Sequence, residues 1–78
     1  MKQSRSTRLS ALGKYLWDHR ISDNNFAAMM KHHLEVAKFS SSTVENWRYG
    51  ISNPHGENLA AVKALTGLSV EQILGIDS

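Results

Sequence analysis

The sequence predicts an all-α domain of five helices, and three observations carry this prediction. Apolar residues recur at three- and four-residue spacing in separate segments, as they do on one face of a helix, whereas no segment shows the signals of a strand. Serine, threonine or aspartate precedes four of these segments, where it can cap the first backbone N–H groups. Gly50, Gly67 and Gly75 follow three of them, and a residue without Cβ readily adopts the left-handed conformation that ends a helix.

The first two helices are predicted from their apolar faces. The first covers residues 7–20, with Ser6 or Thr7 as its N-cap and His19 and Arg20 in its last turn. Its apolar face comprises Leu9, Leu12 and Leu16. The second covers residues 23–37, with Asp23 as its N-cap and residues 38–40 as a short connection to the next helix. Its apolar face comprises Phe26, Ala27, Met30, Leu34 and Ala37.

The third helix is short, starting near Ser41 or Ser42 and ending at Gly50. Ser42 followed by Glu45 matches a capping box, in which each side chain bonds the backbone N–H of the other residue. Val44 and Trp47 would lie together on one face, turned inward, which leaves a polar outer face. Residues 51–56 read as a loop, since Pro54 disfavours helix at the residue before it.

Two further helices follow the loop. Leu59, Val62 and Leu65 mark a fourth helix that stops at Gly67. Ser69 with Gln72 is a second capping box, which opens a fifth helix ending at Gly75.

Length and composition restrict the class of protein. A chain of 78 residues has room for one small domain, whose core usually yields only about 3–5 kcal/mol, so pairing of two copies is common. The chain has no cysteine, signal-peptide pattern or run of apolar residues that would span a membrane, and we expect a protein of the bacterial cytoplasm. The first twenty residues hold one acidic residue, Asp18, and five basic ones: Lys2, Arg5, Arg8, Lys14 and Arg20. This asymmetry favours an anionic partner, nucleic acid first.

The stretch from Ser40 onward resembles the lambda-repressor-like helix-turn-helix family, which includes the phage repressors, the Cro proteins and Xre-type regulators. The shared pattern is an apolar pair three residues apart, a glycine, a proline and then two helices, and here it comprises Val44, Trp47, Gly50, Pro54 and NLAAVKALTGLSVEQILG over residues 58–75. It covers about half of the chain. The resemblance implies a compact five-helix domain over residues 7–78, preceded by a flexible basic arm over residues 1–6.

The chain departs from the family pattern in the second helix. Ala27 lies thirteen residues before Ser40, whereas the family places an alanine about six residues before the recognition helix. Either the second helix is longer by two turns, or it begins near Met29, with Leu34 in the place of the alanine and residues 22–28 as an enlarged connection.

The resemblance also implies a role for individual residues on double-stranded DNA. Base edges in the major groove would be read by Ser41, Ser42 and Asn46, of which the Asn46 amide suits adenine. Phosphates would be contacted by Asn24, Asn25, Arg48, Tyr49 and Asn53. The arm would follow the backbone or the minor groove through Lys2, Arg5 and Arg8.

Some polar and aromatic residues also have an interpretation simpler than a contact with a ligand. Ser42 would read bases less freely if its hydroxyl capped the helix, and Trp47 fits core packing better than stacking on single strands. His32 and His33 point about 100° apart on a helix and cannot chelate one metal ion together. Since no nucleophile motif places the serine, histidine and aspartate residues, no enzyme activity, metal or cofactor is expected.

The sequence therefore predicts a transcriptional regulator, a Cro-like repressor of phage or prophage origin. It would bind an inverted repeat as a homodimer joined through Ile73, Leu74 and Ile76, without a membrane partner or an evident small-molecule effector. The alternative is a protein-interaction module or antitoxin-like partner, with its contact surface at Met29, Met30, Ile73 and Ile76.

Overall fold

The computed structural model describes residues 9–75, and within that range the chain forms five α-helices and no strand. The helices are α1 (Ala11–Asp18), α2 (Asp23–Leu34), α3 (Ser41–Arg48), α4 (Glu57–Thr66) and α5 (Val70–Leu74). The predicted all-α class with five helices is confirmed. None of these helices has the length and apolar character needed to cross a membrane.

Helix α1 is shorter than predicted because its N-cap is Ser10, and neither Ser6 nor Thr7 fills that position. The Ser10 Oγ accepts a hydrogen bond from the Gly13 backbone N–H at 2.9 Å, and Leu9 and Ser10 are not helical. The same hydroxyl donates to the Trp47 carbonyl at 2.6 Å. The start of α1 therefore contacts α3, and no local pattern in the sequence predicts this contact.

Helix α2 begins where predicted, but its cap and its end differ from the prediction. Ser22 caps it by accepting from the Asn25 N–H at 3.0 Å, which leaves the Asp23 carboxylate for another contact. The helix ends after twelve residues at Leu34, because Glu35 adopts a left-handed conformation with φ of 57°. The alternative in which the second helix begins near Met29 is therefore wrong. The residues by which this segment is longer than the family pattern lie partly in α2 and partly in a linker over residues 35–40.

Helix α3 also takes a different cap. Ser40 accepts from the Ser42 N–H at 3.1 Å, so the predicted Ser42–Glu45 capping box is wrong. Gly50 follows the helix with φ of 73°, as expected for a residue that ends it. Three serines in a row offer the same chemistry, and the sequence alone did not identify which one would cap.

The last two helices agree with their sequence signals. Gly67 ends α4 in the left-handed conformation. In α5 the Ser69 Oγ accepts from the Gln72 N–H at 3.1 Å, and the Gln72 side chain accepts from the Ser69 N–H at 2.9 Å. This capping box and the end of α5 at Gly75 are confirmed.

All five helices contribute to one core. Helix α2 packs against α3 and α4, while α1 packs against α3 and α5. The buried residues are Leu12, Leu16, Phe26, Ala27, Met30, Val44, Trp47, Ala61, Val62 and Ile73. Ile73 is only 3% exposed, so the prediction that it forms a dimer surface is wrong: it faces the core of its own chain. Leu74 is half-buried, and Ile76 lies outside the described residues.

Helix α1 meets the C-terminal end of α3 backbone to backbone. The Ser10 N–H donates to the Arg48 carbonyl at 2.9 Å. A Cβ on Gly13 would lie 3.0 Å from the Arg48 carbonyl carbon and 3.1 Å from its Cγ, and would overlap the carbonyl oxygen. Gly13 is therefore the residue that permits this crossing. A glycine inside a helical pattern is itself a signal of close packing, although the sequence does not identify the partner.

Candidate nucleic-acid interface

Helix α3 has one face fixed in the core and one face turned to solvent. Val44 is fully buried and Trp47 is 4% exposed, and the Trp47 ring lies 5.7 Å from that of Phe39 in the linker. The predicted inward orientation of Val44 and Trp47 is confirmed. Because Trp47 is buried, it provides no surface on which a nucleobase could stack.

The predicted base-reading residues lie on or beside the outer face. Ser42 is exposed, and Ser41 and Asn46 are half-buried. Within residues 9–75, none of these three side chains forms a hydrogen bond to another protein group. Since Ser40 caps the helix, the Ser42 hydroxyl is also not needed for that purpose. Among the described residues, no protein group thus competes with solvent or a ligand for these three side chains.

Arg48 does not fit its predicted role as a phosphate contact. Its Nε donates to Asp23 Oδ1 at 2.7 Å and its Nη2 donates to the Ile21 carbonyl at 3.0 Å, and the side chain is only 11% exposed. A charge-assisted pair of this length is stronger than a neutral hydrogen bond. Arg48 therefore ties the end of α3 to the start of α2, and the prediction of a phosphate contact is corrected.

The other predicted phosphate contacts lie at three places around α3. Asn24 and Asn25 are exposed in the first turn of α2, Tyr49 is half-buried directly after α3, and Asn53 is exposed in the following loop. The arm residues Lys2, Arg5 and Arg8 lie outside the described residues.

Charged groups near the outer face are few within the described range. Lys38 is exposed in the linker three residues before Ser41, and Glu45 is exposed on α3 itself.

A shallow depression of about 1030 Å³ lies beside α3, between α1 and the start of α2. Trp17, 71% exposed, lines it together with Tyr49. The sequence did not indicate this depression, because its walls come from separate helices.

Compared with protein-family models, with curated proteins and with solved structures, the chain has no match. The chemistry of the site therefore rests on its geometry. A rigid eight-residue helix presents hydroxyl and amide groups, which donate and accept hydrogen bonds at neutral pH without a cofactor.

Proposed function

We propose that the protein is a sequence-specific regulator that binds double-stranded DNA and inserts the outer face of α3 into the major groove. The observation that carries this proposal is the division of α3 into a buried face and a face of unused hydrogen-bonding groups. Val44 and Trp47 hold the helix, while Ser42 and Asn46 have no bonding partner among residues 9–75.

The dimensions of α3 suit this role. With its side chains an α-helix is about 10–12 Å across, which fits the width of the major groove, about 12 Å, and α3 has eight residues to place in it. Helix α2 packs directly against α3, as the first helix of a helix-turn-helix unit does when the second one enters the groove. The linker over residues 35–40 makes this connection longer than the usual turn of three or four residues.

The charge of the chain supports a DNA partner more weakly. Net charge is only +2, so affinity would depend on where the basic groups lie. Lys38 precedes α3, and Lys2, Arg5 and Arg8 precede α1, whose start is hydrogen-bonded to the end of α3. Counterion release from the DNA would supply most of the non-specific binding. Two copies on an inverted repeat, with their α3 helices about 34 Å apart, would supply specificity.

The test begins with selection of a preferred duplex from a random double-stranded library. Asn46→Ala should then weaken binding to the selected duplex by about 1–3 kcal/mol, weaken binding to random DNA less, and leave the melting temperature unchanged. Asn58→Ala is the matched control, because Asn58 is also half-buried but lies on α4. The proposal fails if selection enriches no sequence, or if both variants bind like the wild type.

The alternative function, a protein-interaction module, is not favoured by the described residues that were predicted to form its contact surface. Met30 and Ile73 are buried in the core and Met29 is half-buried, so these side chains do not form an exposed apolar patch. Ile76 lies outside the described residues.

A further inference from the structure

Glu45 lies on the outer face of α3 without the role that its sequence position suggests. Ser40 caps the helix, so Glu45 does not complete a capping box. Its side chain is exposed and forms neither a hydrogen bond nor an ion pair with any group of residues 9–75. Within the part of the chain that the structure describes, no group competes with a ligand for this carboxylate.

The neighbours of Glu45 on the helix surface explain why it has no partner among residues 9–75. Residues three and four apart are neighbours on a helix, which places Ser41 and Ser42 before Glu45 and Arg48 and Tyr49 after it. Arg48 is the one cation among them, and it is bonded to Asp23 at the start of α2. Because Ser42 and Glu45 are three residues apart, Glu45 lies one turn further along the same side of the helix as Ser42.

A carboxylate on this face opposes DNA binding in general. Phosphates line both walls of the major groove, and each repels a second negative charge. The repulsion is offset only where the carboxylate meets a hydrogen-bond donor. Among base edges in the major groove, the donors are the N4 amino group of cytosine and the N6 amino group of adenine. The adenine donor is flanked by two acceptors, its own N7 and thymine O4, which would both repel a carboxylate. The cytosine donor has an acceptor on one side only, guanine O6, so cytosine fits better.

We propose that Glu45 is a specificity-determining residue, whose carboxylate accepts a hydrogen bond from cytosine N4 at one base pair of each half-site. This assignment rests on the proposed function, because it requires α3 to lie in the major groove. Glu45 would select among DNA sequences in a different way from Asn46. Glu45 would reject duplexes that lack an amino donor at its position, whereas Asn46 would favour duplexes that match it.

The experiment compares the wild type with Glu45→Ala, which removes both the charge and the acceptor oxygens and keeps a residue that favours helix. Glu45→Ala should bind random-sequence DNA more tightly, because the repulsion is gone. At one C·G pair of the selected duplex it should lose about 5- to 100-fold of its discrimination. Glu71→Ala on α5 is the control for removing an exposed carboxylate elsewhere, and it should change neither quantity. Thermal melts should be alike for all three proteins.

A modified duplex tests the contact itself. Removing the 4-amino group from that cytosine should weaken the wild type by the same factor and should change Glu45→Ala little, because alanine has no acceptor there. The assignment is overturned if Glu45→Ala binds every duplex more tightly by one common factor, or if it keeps the C·G preference. In both cases the wild type still selects a duplex, so the proposed function stands. A wild type that selects no duplex overturns the function and this assignment together.

Discussion

Replacing Gly13 with alanine perturbs the crossing of α1 and α3 at its closest point. The new Cβ would lie within 3.1 Å of two Arg48 atoms and would overlap the Arg48 carbonyl oxygen. Two of these three atoms belong to the backbone, which cannot rotate away as a side chain would. The two helices would have to separate by about 1 Å.

This separation sets the expected loss of stability. Overpacking of a tight contact costs about 1–3 kcal/mol. Separation also stretches the bonds that Ser10 donates to the Trp47 and Arg48 carbonyls, at 2.6 and 2.9 Å, each contributing about 0.5–1.5 kcal/mol. The higher helix propensity of alanine offsets about 1 kcal/mol of this loss of stability. The net loss is about 2–3 kcal/mol, and the melting temperature should fall by about 10–20 °C.

Thermal unfolding followed by circular dichroism measures this effect. Lys14→Ala is the control, because Lys14 is exposed in the same helix and should shift the melting temperature by only a few degrees. If Gly13→Ala melts at or above the wild-type temperature, helix propensity outweighs the contact, and the close crossing of α1 and α3 is wrong.

Three further outcomes are expected. Arg48→Ala should lose about 2–3 kcal/mol in urea unfolding, because two bonds to a charged donor disappear; an unchanged midpoint would contradict the Arg48–Asp23 pair. Trp47→Ala should lose about 3–5 kcal/mol and bind DNA poorly only because it unfolds, so a stably folded Trp47→Ala protein would mean that α3 faces the other way. Deleting residues 1–6 should weaken binding to all duplexes alike and reduce its salt dependence; an altered base preference in equilibrium titrations would argue against a backbone contact.

Local signals predicted most of the secondary structure. The Ser69–Gln72 capping box and the glycines after α4 and α5 act over a few residues, and the structure confirms them. The caps of α1, α2 and α3 were each assigned to the wrong residue, because several serines and an aspartate compete within a few positions. Propensity does not distinguish between adjacent capping residues, whereas tertiary contacts do.

The parts of the candidate site that depend on distant residues could not be predicted. Arg48 resembles a phosphate ligand in the sequence, but Asp23, twenty-five residues earlier, binds it. Ile73 resembles surplus apolar surface on a short helix, but the packing of α5 on α1 and α4 buries it. The inward orientation of Val44 and Trp47 was predictable because helical spacing alone determines it.

The bonds between Ser10 and the end of α3 also bear on how the protein is prepared for measurement. Ser10 bonds to the Trp47 and Arg48 carbonyls, so the described part of the chain begins beside the last turn of α3. A histidine-rich tag fused to this end of the chain would add positive charge as pH falls, and added positive charge strengthens binding to DNA of any sequence. Removing such a tag with a protease keeps measured affinities and salt dependences those of the protein itself.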